Sequence, residues 1–178
     1  EYAYSKDKAH LENTYMINIK ENASDVKKAI KKYGAVGIMY SHNDNGYHYI
    51  NNSYNDKTNN RAGHAVMVVG WDDNYSKDNF RDGVKPEKDG AWLIRNSWGD
   101  GTGSYYNQSY FWMSYETFSL SDTAWVFDFS ANDGYDNNYQ VDGGLNVAHQ
   151  SGYRKLANVF TTQAKQGVSS EDLKAVSL

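Results

Sequence analysis

A chain of 178 residues, 39 % apolar and 22 % charged, holds enough material for one packed domain or one and a half small ones, and its composition excludes intrinsic disorder. The net charge of −4 argues against a nucleic-acid binder, and no stretch approaches the ~18 consecutive apolar residues of a membrane helix. With no cysteine, the chain carries no disulfide, no thiolate metal site and no cysteine nucleophile of its own.

In chain order, residues 15–19 alternate loosely and predict a short strand. Residues 24–33 predict the clearest helix. Ser24 can cap its first turn, Asp25 suits the positive end of the dipole, and Gly34 supplies the stop. Val26, Ala29, Ile30 and Tyr33 fall on one face, while Lys27, Lys28, Lys31 and Lys32 form the opposite face and read as solvated. An apolar run at 35–40 predicts a buried strand, followed by a polar loop at 41–61 with a short strand at 47–50. The run at 64–71 is the most apolar of the chain and predicts a strand covered on both faces. After a charged excursion at 72–89 come strands at 91–95, 110–115 and 125–129, with a glycine-rich turn at 99–108. Near residue 130 the sequence turns polar and glycine-containing, and a domain boundary is placed there, between units 1–130 and 131–178. The tail holds two strand-like pieces, 157–161 and 173–178; the second ends without a turn, so the chain reads as a fragment of a longer protein. One helix followed by many strands is an α+β pattern with an antiparallel sheet, a half-barrel or sandwich.

Two residues could carry chemistry together. His64 stands at the mouth of the apolar strand, after Gly63, where its stem is fixed and its ring can reach solvent. Asn96 closes the strand at 91–95 and is followed by Ser97 and Trp98. If those strands pair, an Asn carbonyl against an imidazole fixes ring orientation and tautomer without adding charge, which suits a histidine that must pair with a thiolate. Trp98 would then cover the His–Asn bond. Taken singly, His64 is an ordinary strand-end histidine and Asn96 an ordinary turn residue.

Taken jointly, Gly63-His64-Ala-Val-Met-Val-Val-Gly70-Trp71 and Trp92-Leu-Ile-Arg-Asn96-Ser-Trp98-Gly99 resemble the His and Asn motifs of papain-like cysteine peptidases, in the order expected there. The helix at 24–33 with the following Gly34-Ala-Val-Gly-Ile38 resembles the element ahead of the His strand, and 99–115 resembles the closing turn and strand. The resemblance covers roughly residues 10–120, the β-rich, C-terminal half of the catalytic unit. It implies a half-domain built as an antiparallel half-barrel with one main helix. It also implies peptide-bond hydrolysis in which His64 pairs with a thiolate and Asn96 orients His64. The Cys and the oxyanion-binding Gln would belong to a missing N-terminal half, so the isolated chain is expected to be inactive. The inserted Trp71-Asp-Asp-Asn-Tyr-Ser-Lys77, together with Tyr135-Asp-Asn-Asn-Tyr139-Gln140, Ala157-Asn-Val-Phe160 and Leu173-Lys-Ala-Val-Ser177, is similar to bacterial cell-surface members in which a lectin-like β domain follows the peptidase. The abundance of Asn, Tyr and Lys agrees with an AT-rich bacterial genome, and the implied location is secreted or at the cell surface.

The alternative is a catalytically dead papain-like module that binds a cell-wall glycan or a partner protein through its aromatic surface. A half-unit would also expose an apolar face able to drive dimerisation. No cofactor or metal is expected. His42, Asp44 and His48 match no tight ligand spacing, and Asp72, Asp73 and Asp78 lack the order of a calcium loop. Ser97 and Ser104 have no nucleophile elbow, and His10 and His149 read as surface residues.

Overall fold

The computed structural model describes residues 9–58, 63–98 and 109–131, and in the tail residues 137, 139, 159–163, 166–174 and 176. The chain divides into two compact units, one formed by Leu11–Ser130 and the other by Glu1–His10 with Ala131–Leu178.

Among the described residues eight strands form one mixed, open sheet: β1 (Ala9–Asn18), β2 (Val36–Tyr40), β3 (Tyr47–His48), β4 (Ser53–Tyr54), β5 (His64–Asp72), β6 (Ala91–Arg95), β7 (Tyr110–Ser114) and β8 (Leu120–Ala131). Their spatial order is β1-β8-β2-β5-β6-β7-β4-β3. From β8 through β2, β5 and β6 to β7 every pairing is antiparallel, whereas β4 lies parallel to β7. That one pair departs from the antiparallel expectation, and the long stretch of chain between β4 and β7 is what permits the crossover.

The one α-helix among the described residues, α1 (Ala23–Tyr33), turns Val26, Ala29 and Ile30 into the core, where it packs on β2 and β5. Its start differs from the sequence reading. Asn22, not Ser24, is the capping position, and its side chain makes no capping bond; the turn is closed instead by the Asn22 carbonyl, which accepts from Asp25 and Val26. Gly34 ends the helix at φ +88°, a left-handed conformation that glycine adopts without strain, and its N–H returns to Ile30 O at 2.8 Å.

The lysine face is not uniformly solvated. Lys27 ion-pairs with Asp73 and sits over the rings of Tyr115, Trp71 and Trp92 at 5.2, 5.8 and 6.0 Å, its side chain only 22 % exposed. The helical period put it with the other lysines, but its long stem reaches back over the aromatic end of the sheet.

β5 is fully buried on one face and only partly covered on the other, where Met67 and Val69 are half-buried. Val66 and Val68 are buried, as are their neighbours Val36, Ile38 and Ile94, while Ala65 is exposed. An apolar run predicts cover on both sides, but period-2 alternation sends successive side chains to opposite faces of the sheet, and only one of those faces carries α1 and the core. In the tail, the described residues at 159–163 and 171–174 form no strand, and Val159 and Leu173 are 91 % and 83 % exposed. An alternating sequence becomes a strand only beside a partner. The turn at 99–108 lies outside the described residues, as does most of 135–140.

Candidate active site

The sheet brings three strand ends to one corner. His64 is the first residue of β5 and stands opposite Tyr40, the last residue of β2. On the other side of β5, Met67 faces Arg95, so continuing the antiparallel register past the end of β6 carries Asn96 and Trp98 towards His64. Asn96 is anchored by its own backbone, whose N–H donates to Ser109 O at 2.8 Å, and it is buried.

The side chains meet as this geometry requires. Asn96 Oδ1 lies 2.9 Å from His64 Nε2 and also accepts the Ser97 N–H at 2.8 Å. The second contact fixes the first. A backbone N–H can only donate, so the amide atom it meets is the oxygen, and His64 Nε2 must then carry the hydrogen. This leaves Nδ1 as the ring's proton-exchanging nitrogen. Trp98 stacks on His64 with ring centroids 4.6 Å apart and planes at 24°, shielding that side of the imidazole from water. His64, Asn96 and Trp98, singled out from sequence, are thus brought together.

Tyr40 and His42 complete the corner and were not foreseen. The buried Tyr40 ring lies 5.6 Å from His64, and its hydroxyl is 3.0 Å from His42 Nδ1. Burial holds the Tyr40 phenol far above its ordinary titration range, so it remains an O–H donor. His42 Nε2 bonds Asp44 Oδ1 at 3.1 Å, and the His42 ring meets Trp98 at 4.8 Å and 83°. The signal for these two was the strand pairing that sets Tyr40 beside His64, which becomes visible only once the register is known.

The weighed metal sets do not converge. His42 and Asp44 meet, but His48 turns to the Asn79 carbonyl at 2.9 Å. Asp73 serves Lys27 and Tyr115, Asp78 serves Lys85, and Asp72 accepts from Asn74 N–H. Ser97 is exposed, with its N–H on the Asn96 side chain; His149, Ser104 and the side chain of His10 fall outside the described residues.

Comparison with known proteins supplies the family. The profile of the papain family of cysteine proteases matches residues 1–124. The cathepsin B-like cysteine proteinase 3 of Caenorhabditis elegans is 31 % identical over 101 residues, 56 % of this chain and 24 % of that protein. The clostridial cysteine protease Cwp84 after propeptide cleavage superposes with a TM-score of 0.63 at 36 % identity, over 72 % of this chain and 31 % of that one. A structure of the cysteine protease and lectin-like domains of Cwp84, a surface layer associated protein of Clostridium difficile, gives 0.61 at 35 %, over 72 % and 28 %. The chain therefore spans less than a third of the length of each of these relatives. A matched profile over more than half the chain, and a sheet of the same build, lead to one conclusion: this chain belongs to the papain family of cysteine proteases.

Proposed function

We propose that this chain supplies the histidine and the orienting asparagine of a peptide-bond hydrolase whose cysteine lies on another part of the protein. The observation that carries this reading is the His64 Nε2–H bond to Asn96 Oδ1 under the Trp98 ring, in a chain of the papain family. With Nε2 committed to Asn96, His64 Nδ1 accepts the thiol proton and gives an imidazolium–thiolate pair. The thiolate sulfur attacks the peptide carbonyl carbon, and the Nδ1 proton passes to the leaving amine as the C–N bond breaks. Water then gives a proton to Nδ1 and its oxygen to the acyl carbon, the C–S bond breaks, and the thiolate is restored. Asn96 holds the ring in the productive tautomer throughout. With no cysteine to serve as nucleophile, the isolated chain has no peptidase activity of its own.

Residues 131–178 are read as the start of a second, lectin-like β domain; the division of the chain at Ser130 and Ala131 supports this, as does the presence of such a domain in Cwp84. The same relative favours a secreted or surface-bound bacterial protein acting on peptides, with cell-wall glycan as a further ligand. Exposed large side chains such as Ile50 and Phe118 favour self-association of the separate chain.

The test is complementation. The cysteine-bearing half of the surface-layer relative is mixed with this chain and a fluorogenic peptide is assayed. The expected result is thiol-dependent hydrolysis that falls at least ~100-fold with His64→Ala. A stable complex without hydrolysis would instead favour the binding-module reading.

A further inference from the structure

Trp98 is held between two imidazoles: His64 stacks on it, and His42 meets it at 83° from the segment that follows β2. His42 is tied at both nitrogens, by the Tyr40 hydroxyl at Nδ1 and by Asp44 Oδ1 at Nε2. A carboxylate accepts and does not donate, so Nε2 carries the hydrogen, and in the neutral ring Nδ1 then accepts from the Tyr40 hydroxyl. We infer that His42 is a positioning residue for the His64–Asn96 pair: locked as the neutral Nε2–H tautomer, it backs Trp98 over His64 and leaves the positive charge of this corner to His64. The catalytic consequence rests on the peptidase reading above; the lock itself belongs to this chain.

Every face of His42 bears on its charge. Tyr40 approaches from β2, Tyr47 from β3 with centroids 6.4 Å away, and Tyr54 from β4, stacked at 5.7 Å with Asp56 behind it. His64 faces it from β5, Trp98 from beyond β6, and Asp44 from its own turn, which Arg81 braces through the Asp44 and Asn45 carbonyls. Asp44 favours the charged ring, but its side chain is 56 % exposed and its pull is diluted by solvent. Burial is the larger influence, His64 opposes a second cation, and the balance holds His42 below the ordinary histidine range. An imidazolium at His42 would compete with the imidazolium that a thiolate requires at His64, across a single indole ring.

The test needs no nucleophile. Long-range proton–nitrogen NMR of the ¹⁵N-labelled chain, run from about pH 5 to pH 8, reports the tautomer and protonation of each imidazole. The expected spectrum shows His42 as one neutral tautomer, Nε2 protonated and Nδ1 bare, down to a pH below the ordinary histidine range. In His64→Phe, which keeps a flat ring on Trp98 without its charge, the His42 midpoint shifts to higher pH; His64→Gln serves if the Phe variant does not fold. Mixed tautomers of His42 in the unaltered chain, or a midpoint that stays in place when His64 is replaced, would overturn the inference. Failure of the complementation assay would refute the peptidase reading and leave these spectra to decide on the lock.

Discussion

Asn96 is the residue whose removal tests the corner most directly. Asn96→Ala deletes one buried oxygen and strips two donors of their acceptor, the His64 Nε2–H at 2.9 Å and the Ser97 N–H at 2.8 Å. Each bond contributes about 1 kcal/mol net, and a donor left unsatisfied in a buried setting costs ~1–3 kcal/mol. Ser97 is exposed and can turn to water, whereas the Nε2 side of His64 lies under Trp98 and cannot do so easily. The expected loss is therefore about 2 kcal/mol, dominated by His64. Asn96→Asp keeps an acceptor for both donors and should recover part of it. Urea unfolding followed by tryptophan fluorescence measures the stability, as a lower midpoint at unchanged slope. Imidazole NMR measures the second consequence, since His64 should pass from one neutral tautomer to a mixture of two. If Asn96→Ala unfolds within about 0.5 kcal/mol of the unaltered chain and His64 keeps a single tautomer, the amide does not orient the ring.

Two further outcomes follow from the aromatic end of the sheet. Lys27→Met keeps the stem and removes the charge over Trp71, Trp92 and Tyr115, and should lower stability by about 1 kcal/mol near neutral pH in urea unfolding. Its pH dependence has a definite sign: Lys27, and secondarily the Tyr115 hydroxyl, hold the Asp73 carboxyl below its ordinary value. That stabilisation is complete above about pH 4 and is lost as pH falls through the lower folded value, so the gap between the two proteins should narrow below pH ~4. A gap unchanged down to about pH 2 would show that the ion pair contributes nothing. Gly90→Ala places a methyl 2.6 Å from Tyr115 Cε2 at a backbone φ of +114°, and should cost at least about 2 kcal/mol by the same assay; a neutral effect would mean that Tyr115 can move off Trp92.

The pairing of His64 with Asn96 was legible because its parts are local in sequence. His64 follows a glycine and opens an apolar run, and Asn96 follows another, so both strands declare themselves and place these residues at their ends. The helix was legible for the same reason, through Val26, Ala29 and Ile30 at helical spacing and Gly34 at its end. The reading of the tail as lectin-like rested on short motifs, and most of residues 131–178 lies outside the described residues.

The amino-acid sequence by itself pointed to the family, the helix, the main strand segments along the chain and the lack of a cysteine, because periodicity and motif are properties of neighbours along the chain. Only the tertiary structure decided that Lys27 leaves its lysine face for an aromatic bed, that β5 is fully buried on one face alone, and that β4 runs parallel to β7. It also decided that Tyr40 and His42 join His64, Asn96 and Trp98 at one corner. Each of these depends on register between strands distant in sequence, where a slip of one residue sends every side chain to the other face, and the order of residues along a single strand does not specify that register.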